Sequence, residues 1–280
     1  MAKDSKIEWT HHTFNPWWGC AKVSPACLNC YAEAWAKRVG SKVWGKNADR
    51  RFFGANHWKE PVSWNAEAVV QKQRRRVFCA SMADVFERRP ELKPWRQKLW
   101  ELINATPMLD WLILTKRPQN ISSMVPWGDD EWPKNIWIGT TVENQHWAEV
   151  RLPHLLKHSA AVRFLSCEPL LGPIDLGKWA GDPLLNPLDW VIAGGESGPQ
   201  ARPMEPGWAR KLRDHCNSHG IPFHFKQWGH WVPAALLEGA EKRRILVGEV
   251  EMAAAGKKLA GRELDGKTWD QFPITTWNHE

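Results

Sequence analysis

The sequence predicts an α/β fold: a full or partial (β/α) barrel of six to seven parallel strands with a small C-terminal hairpin appendage. Short apolar runs rich in β-branched and aromatic residues recur about 25 to 34 residues apart. Each interval has room for one crossover helix, which is typical of a parallel sheet covered on its faces. Polar residues or glycines follow each run, as they do at the substrate-binding rim of a βα barrel. An open, doubly wound sheet is the alternative architecture.

The predicted strands follow one another along most of the chain. A first strand is expected at residues 7–10. Continuous apolar runs indicate further strands that are buried on both faces. These six strands are expected at residues 77–80, 111–114, 136–139, 162–165, 190–193 and 222–225.

Helical periodicity appears between the apolar runs. One helix face is indicated by apolar residues at steps of three and four, namely Leu92, Trp95, Leu99, Leu102 and Ile103. A second helix is predicted to begin near Pro206 and to end at Gly220. Residues 31–39 form a third predicted helix, closed by Gly40.

Two segments depart from the repeating pattern. Residues 171–188 contain three prolines and three glycines, which predicts a loop insertion. Residues 247–264 alternate small, basic and apolar residues, with Gly256 and Gly261 as turns, and this pattern predicts a short hairpin. Two units are therefore expected, a barrel at residues 1–230 and an appendage at residues 231–280.

Composition excludes several classes of protein. The 280 residues are 43% hydrophobic and 25% charged, so the chain can bury a substantial core. No apolar run approaches the ~18 residues that span a bilayer. The N-terminal residues lack the apolar segment of a secretory signal. We therefore expect a soluble, cytoplasmic, enzyme-sized protein without a membrane partner.

Basic residues are concentrated in one stretch of the chain. Residues 31–98 carry 16 Lys and Arg against 7 Asp and Glu, a net +9, whereas the remaining residues carry a net −2. A localised basic surface suits a polyanion, although a charge run is also typical of a solvated helix face. We predict that nucleic acid is contacted by the densest basic positions, Arg74, Arg75, Arg76, Arg88 and Arg89.

Three of the six cysteines, Cys20, Cys27 and Cys30, lie in one loop at residues 19–31 with the spacing C-x6-C-x2-C. A disulfide framework is not expected in a large chain without a secretory signal, and three thiolates in one loop are typical of a metal site. Structural zinc takes four tetrahedral ligands, so a nearby histidine or a distant residue would have to supply the fourth. An iron–sulfur cluster accepts three cysteines when one iron stays open for another molecule. The spacing favours the cluster, with zinc as the alternative.

Several segments resemble a known group of enzymes. A three-cysteine loop after the first strand of a βα barrel resembles the radical S-adenosylmethionine enzymes. More specifically, the chain is similar to a bacteriophage-borne three-cysteine protein family at residues 15–20, 27, 30–33, 114–118, 164–171, 194–198 and 225–229. The resemblance implies a 4Fe–4S cluster on Cys20, Cys27 and Cys30, whose fourth iron is chelated by the methionine amino and carboxylate groups of S-adenosylmethionine. Reductive cleavage would then give a 5′-deoxyadenosyl radical.

The chain also departs from that superfamily. Most of its members have the spacing C-x3-C-x2-C with an aromatic residue before the third cysteine, whereas here the first gap is six residues and Asn29 precedes Cys30. The Gly-Gly-Glu sequence that commonly holds the methionine amino group follows the second strand in those enzymes. Here Gly194, Gly195 and Glu196 follow a late strand, so they are expected near a ligand only because they belong to the same rim.

Polar residues after the predicted strands are candidates for binding and catalysis. A carboxylate can bind an α-amino group or ribose hydroxyls, and a cation can pair with the methionine carboxylate or a substrate phosphate. We predict that Lys116, Arg117, Glu168 and Lys226 are catalytic. The predicted cofactor-binding residues are Asp84, Thr115, Glu143, Asn144, Gly194, Gly195 and Glu196.

These features predict a radical S-adenosylmethionine-type iron–sulfur enzyme, in the cytoplasm of a bacterial host, that modifies or repairs nucleic acid or a nucleotide. The spore photoproduct lyases, which repair a thymine lesion by radical chemistry, are the nearest analogy. Such an enzyme needs an electron donor protein as its partner. The alternative is a non-catalytic nucleic-acid-binding protein with a structural zinc site. A metal-dependent hydrolase has little support, because no ligand pattern such as H-E-x-x-H occurs.

Overall fold

The computed structural model describes residues 3–128, 131–179, 187–237 and 243–274. The first elements in chain order are β1 (His12–Thr13), β2 (Trp17–Trp18), α1 (Tyr31–Arg38), β3 (Arg51–Phe52), α2 (Ala55–Val70), β4 (Arg75–Cys79), α3 (Lys93–Asn104) and β5 (Leu109–Thr115). Next come β6 (Ile136–Thr141), α4 (Gln145–Leu155), β7 (Val162–Cys167), β8 (Trp190–Gly194), α5 (Pro206–Ser218) and β9 (Phe223–Gln227). The last are β10 (Trp231–Pro233), β11 (Arg244–Val247), β12 (Val250–Ala254), α6 (Lys257–Ala260), β13 (Glu263–Leu264) and β14 (Lys267–Thr268).

The central element is a seven-stranded sheet in the order β1-β4-β5-β6-β7-β8-β9. Every pairing in this sheet is parallel, and each crossover returns the chain to the next strand in the row. This order confirms the predicted partial barrel, because a doubly wound sheet reverses its strand order at a switch point. The sheet is a half-barrel, with β1 and β9 at its two edges.

The six strands predicted from apolar runs are confirmed, each within a few residues of its predicted position. The predicted first strand at residues 7–10 is wrong. These residues form a turn, in which the Thr10 N–H donates to Ile7 O at 3.2 Å, and the first strand is β1. The reason is that Trp9 packs its side chain inside the half-barrel, with its ring centroid 4.6 Å from that of Phe78.

The two faces of the sheet are both apolar. The convex face packs against the helices in the main core. The concave face carries a second cluster that fills the barrel interior, made of Trp9, Phe78, Leu112, Trp137, Val162, Phe164, Trp190 and Ile192. Gly139 leaves room for this cluster, since a Cβ there would lie 2.4 Å from the Phe164 ring. Towards the carboxyl ends of the strands, polar residues replace the apolar ones on the concave side.

The helices confirm the predicted patterns at three places. α1 is followed by Gly40 with φ +73°, and α3 carries the apolar face predicted from Leu92 onward. α5 begins at Pro206, where the Glu205 carboxylate accepts a hydrogen bond from the Gly207 N–H at 2.8 Å. Gly220 follows this helix in the left-handed region, as a helix stop requires.

The C-terminal appendage consists of small antiparallel sheets. One has the order β10-β12-β11, and β13 and β14 pair as a hairpin. The turn between β11 and β12 lies at Gly248, whereas Gly256 and Gly261 flank the short helix α6, so their predicted role as hairpin turns is wrong. The appendage also reaches the barrel, because the Phe225 N–H donates to Trp269 O at 2.9 Å. The predicted division at residue 230 stays a prediction.

The predicted insertion at residues 171–188 contains a 3-10 turn at Gly177–Trp179, and its residues 180–186 lie outside the described ranges. Among the described residues, no helix is long and apolar enough to cross a membrane.

Candidate functional site

A cavity of about 410 Å³ opens on the concave face at the carboxyl ends of the parallel strands. Its apolar floor includes Ile7, Trp9, Phe78 and Leu114. The predicted site residues that line it are Cys20, Cys27, Cys30, Asp84, Thr115, Lys116, Arg117, Glu168, Gly195, Glu196 and Lys226. The structure thus brings most of the predicted residues to one place, since parallel strands present their carboxyl ends at the same edge.

Three of the predicted cofactor-binding residues do not line this cavity. The Asn144 side chain accepts a hydrogen bond from the Trp147 N–H and so caps helix α4. Glu143 is fully buried behind the cavity wall, and Gly194 ends strand β8. Their binding of a cofactor stays a prediction.

The cysteine-bearing segment, residues 19–31, is here called the cysteine loop. It begins at Gly19, which has a φ of +114°, and a Cβ at this position would lie 2.4 Å from Val43 O, so the loop requires glycine here. Cys20 follows directly, Cys27 ends a 3-10 turn, and Cys30 is the residue before helix α1. All three are free thiols, with Cys27 buried and the other two half-buried.

Arg117, which follows strand β5, holds the first part of the cysteine loop. Its Nη2 donates to Ala21 O at 2.9 Å, and its Nη1 lies 3.7 Å from the Cys20 Sγ. The same Nη1 donates to Asp84 Oδ2 at 2.8 Å. Arg117 therefore links two strand ends to the residues at the first cysteine.

Asp84 is fully engaged by protein donors. Its carboxylate accepts hydrogen bonds from the Thr115 hydroxyl at 2.7 Å and from the Lys116 and Phe86 N–H groups at 3.0 Å, in addition to Arg117. Burial alone would raise the pKa of Asp84, but Arg117 and these donors hold it below its usual value. Asp84 is thus an ionised group that positions Arg117.

Glu143, which follows strand β6, holds the middle of the cysteine loop. Its Oε1 accepts a hydrogen bond from the Ala26 N–H at 3.2 Å. Its Oε2 pairs with Arg151 Nη1 at 2.7 Å, and both side chains are almost completely buried. A buried pair of this kind fixes the position of each partner.

Glu196, which follows strand β8, holds the last part of the cysteine loop. Its Oε2 accepts hydrogen bonds from Asn29 Nδ2 at 2.9 Å and from the Arg202 N–H at 2.8 Å. Arg202 Nη2 in turn donates to Pro25 O at 3.0 Å. These bonds lower the pKa of Glu196, although burial opposes them. The cysteine loop is thereby attached to the ends of three different strands.

Gly195 allows this arrangement by close packing. A Cβ at Gly195 would lie 1.9 Å from Trp228 O, so no other residue fits there without a backbone shift. The chains after β8 and β9 therefore approach closely. The close packing at Gly195 fixes the position of the next residue, Glu196.

Several polar groups of the cavity do not hold the cysteine loop. Lys226 Nζ and Glu168 Oε1 form an ion pair at 3.2 Å. The Thr141 hydroxyl and Gln227 Oε1 are buried and have no hydrogen-bond partner. Among the described residues, Lys116 forms no ion pair. These groups are the ones available to a polar ligand, because buried polar atoms are nearly always paired.

Thr141 and Gln227 were not among the predicted site residues. Both end strands of the parallel sheet, so their positions after apolar runs were visible in the sequence. What singles them out, a buried polar atom without a partner, depends on tertiary packing.

The donor set of the cysteine loop fits an iron–sulfur cluster, since three free thiols of one loop line one cavity. In their present positions the side chains are not assembled, and the described residues contain no group of three His, Cys, Asp or Glu close enough to hold a metal ion. Burial, together with the nearby Asp84 carboxylate, raises the pKa of the Cys20 thiol to about 12, against the effect of Arg117. Binding of a cluster would therefore require the cysteines to turn towards one another and to lose their protons.

The predicted nucleic-acid-binding arginines are divided between the two ends of strand β4. At its amino end, Arg74 pairs with Asp110 at 2.7 Å, Arg75 donates to Gln71, and Arg76 Nε donates to Trp9 O at 3.0 Å. Arg88 and Arg89 follow the carboxyl end of the strand, and Arg89 pairs with Glu91. The structure does not bring these two groups of arginines together, and only the second lies on the side of the cavity.

Comparisons with known proteins give few matches. The chain matches no curated protein. It is similar to two solved structures of spore photoproduct lyase mutants, one of them with bound AdoMet and dinucleoside spore photoproduct. The TM-scores are 0.48 and 0.49 at 12% sequence identity, over 90% of this chain and 70% of each of those chains. Residues 4–273 match the sequence model of the family described as protein of unknown function (DUF5131), and the chain belongs to this family.

Proposed function

We propose that this protein is an iron–sulfur enzyme of the radical S-adenosylmethionine type that acts on nucleic acid or a nucleotide. The observation that carries the proposal is the shared position of Cys20, Cys27 and Cys30 on one cavity at the carboxyl end of a parallel half-barrel. A 4Fe–4S cluster bound there would supply the electron that cleaves S-adenosylmethionine. The residues of the chain would hold the reactants and keep water out.

The cysteine loop is suited to present three thiolates from a fixed backbone. Its attachments through Arg117, Glu143 and Glu196 limit the movement of the backbone at three points. Cys30 packs against an apolar cluster that includes Trp18 and Met82. Cluster binding would then depend on side-chain rotation of the three cysteines on a restrained backbone.

The free polar groups suit the polar parts of S-adenosylmethionine. We assign the Glu168 and Lys226 pair to the α-amino and carboxylate groups, because the two opposite charges match those of an amino acid. The Thr141 hydroxyl and Gln227 Oε1 would pair with ribose hydroxyls or adenine nitrogens. The floor of Trp9, Phe78 and Leu114 offers an apolar surface for the adenosyl group.

Nucleic acid or a nucleotide is proposed as the substrate because of the basic groups beside the cavity. The formal net charge is +7, and the excess lies in residues 31–98, which include Arg88 and Arg89. An electron donor protein is proposed as the partner, since one-electron reduction of the cluster needs an external source.

Anaerobic reconstitution with iron and sulfide tests the proposal. The expected result is the visible absorbance of a 4Fe–4S cluster and, with S-adenosylmethionine and a strong reductant, release of 5′-deoxyadenosine. A variant with Cys20, Cys27 and Cys30 all changed to Ala should lose both, whereas Cys216→Ala, a buried cysteine of α5, should keep both. Stoichiometric zinc with no iron uptake would instead identify a structural zinc site and overturn the proposal.

A further inference from the structure

A second cavity lies beside the first and has a basic wall. Its volume is about 370 Å³, and it shares Val23, Lys116 and Arg117 with the first cavity. The other residues lining it are Glu87, Arg88, Gln119, Asn120, Trp147, Val150 and Arg151. Four cationic side chains and one carboxylate therefore face this space.

The single carboxylate does not neutralise the four cations. Glu87 is already held by Arg50, whose Nη2 lies 2.7 Å from Glu87 Oε1. Arg117 is similarly paired with Asp84. Arg88 is exposed and donates to Asn120 Oδ1 at 3.2 Å, but neither it nor Lys116 pairs with an acid in the described part of the chain. Two positive charges at this wall are left without a counter-charge.

Arg151 adds buried donors that lack acceptors. Its side chain is 1% exposed, and its Nη1 donates to Thr141 O at 2.8 Å and to Glu143 Oε2 at 2.7 Å. Its Nε and Nη2 are buried and have no hydrogen-bond partner. The guanidinium carbon lies 4.1 Å from the centre of the Trp147 ring, which also lines the cavity. Buried N–H groups without acceptors are rare and indicate a ligand or an ion.

We propose that the second cavity binds a phosphate group, held by Arg88, Lys116 and Arg151. Phosphate matches the donor set, because a guanidinium presents paired N–H groups to two oxygens of one phosphate. Lys116 and Arg117 border both cavities, so a phosphate bound here lies next to the first cavity.

A phosphate site next to the first cavity deepens the proposed function. Only the identity of the molecule that carries the phosphate rests on that function. A nucleotide or a nucleic-acid strand could leave its phosphate in the second cavity while its sugar and base reach the first. Phosphate binding itself requires none of the three cysteines of the cysteine loop.

Binding measurements on the full chain, purified without cluster reconstitution, test the proposal. The probes are inorganic phosphate, a deoxynucleoside 5′-monophosphate and a short single-stranded DNA, each titrated at two salt concentrations by calorimetry. The variants are Arg88→Glu, Lys116→Ala and Arg151→Lys, the last of which keeps a charge opposite Glu143 but lacks the guanidinium fork. Lys59→Ala, at an exposed residue of α2, is the matched control.

The expected result is that Arg88→Glu, Lys116→Ala and Arg151→Lys each weaken binding about tenfold, while Lys59→Ala leaves it unchanged. If the variants lose affinity only for the single-stranded DNA, the bound phosphate is the phosphodiester of nucleic acid. If they also lose affinity for the monophosphate, the ligand is a free nucleotide. Equal binding by wild type, Arg88→Glu and Lys116→Ala for all three probes would overturn the phosphate site. That result would leave cluster assembly and 5′-deoxyadenosine release untouched, so the two proposals fail separately.

Discussion

Arg117 Nη1 lies 2.8 Å from Asp84 Oδ2 and 3.7 Å from the Cys20 Sγ. One guanidinium thus connects an ionised, buried carboxylate to the first thiol of the cysteine loop. This relationship assigns to Asp84 a positioning role, since its hydrogen bonds come from protein donors, Thr115 and Lys116 at the end of β5 and Phe86 in its own loop.

Asp84→Asn should destabilise the protein strongly. The substitution keeps the shape but removes the nearest carboxylate of Arg117 in a buried site and leaves only Glu87 at 3.9 Å, which is expected to cost about 3 kcal/mol of unfolding free energy. Urea denaturation measures the loss. Glu91→Gln, which breaks the exposed pair with Arg89, is the control and should cost no more than about 1 kcal/mol. Equal effects of the two changes would contradict the role of Asp84.

Asn29→Ala should loosen the end of the cysteine loop. The change removes hydrogen bonds from Asn29 Nδ2 to Glu196 Oε2 and to Gln200 O. Amide hydrogen exchange at residues 25–30 should then become faster, while exchange in strand β5 stays the same. Asn217→Ala, at an exposed position of α5, should change neither region. Unchanged exchange at residues 25–30 would show that the hydrogen bonds of Asn29 do not restrain the loop.

Gly139→Ala should overpack the interior of the half-barrel. A Cβ there would lie 2.4 Å from the Phe164 ring, so the expected loss of stability is about 1–3 kcal/mol. Phe164→Leu in the same chain should recover part of this loss, because the smaller side chain removes the clash. A double-mutant cycle in urea measures the coupling, and strictly additive effects would contradict the packing described above.

Stability should fall as the pH drops from 6.5 towards 4. Burial lowers the pKa of His224 to about 4, with Arg262, Lys226 and Arg76 lowering it further and Asp270 opposing them. The unfolded chain therefore takes up a proton near pH 6.5, while the folded chain remains neutral at this histidine until about pH 4. The contribution of His224 to stability is fully present above pH 6.5. Below that pH it declines by up to about 1.4 kcal/mol per pH unit.

His224→Gln tests that pH dependence. The glutamine cannot take up a proton, so the slope of stability against pH between 6.5 and 4 should become smaller than in the wild type. His146→Gln, at an exposed position of α4, serves as the control and should leave the slope unchanged. Identical slopes for wild type and His224→Gln would contradict the assignment. Some slope should persist in this variant, because burial also lowers the pKa of His11 to about 4.

Thr141→Val should weaken binding of S-adenosylmethionine to the reconstituted protein. The valine has the same shape but removes the buried hydroxyl proposed to pair with the ligand, a change of about three- to tenfold in Kd. Equilibrium dialysis measures the difference. Thr268→Val, on the exposed strand β14, should bind as wild type does, and an unchanged Kd for Thr141→Val would exclude the hydroxyl from the site.

The repeated strands could be predicted because a strand buried on both faces is a continuous apolar run. Helix α2 was not predicted individually. Its buried positions include Pro61, and a proline inside a helical pattern normally argues against a helix. The first strand was misplaced because β1 has only two residues and Trp9 points into the barrel interior.

The site was predictable in its location but not in its contacts. Spacing along the sequence placed Glu143 and Glu196 at the strand ends, and both were interpreted as ligands of a cofactor. In the structure their oxygens accept hydrogen bonds from Ala26 and Asn29 of the cysteine loop, which lie 117 and 167 positions away in the chain. Such pairings depend on the three-dimensional packing of distant segments, so local sequence patterns do not contain them.

Iron and sulfide analysis of the anaerobically reconstituted protein tests the central claim most directly. The account predicts about four iron atoms per chain in the wild type. Each single change of Cys20, Cys27 or Cys30 to Ala should reduce this content sharply, and Cys167→Ala should not, because Cys167 is buried in strand β7. Iron content that is independent of the three cysteines, or zinc at one atom per chain in their place, would contradict it.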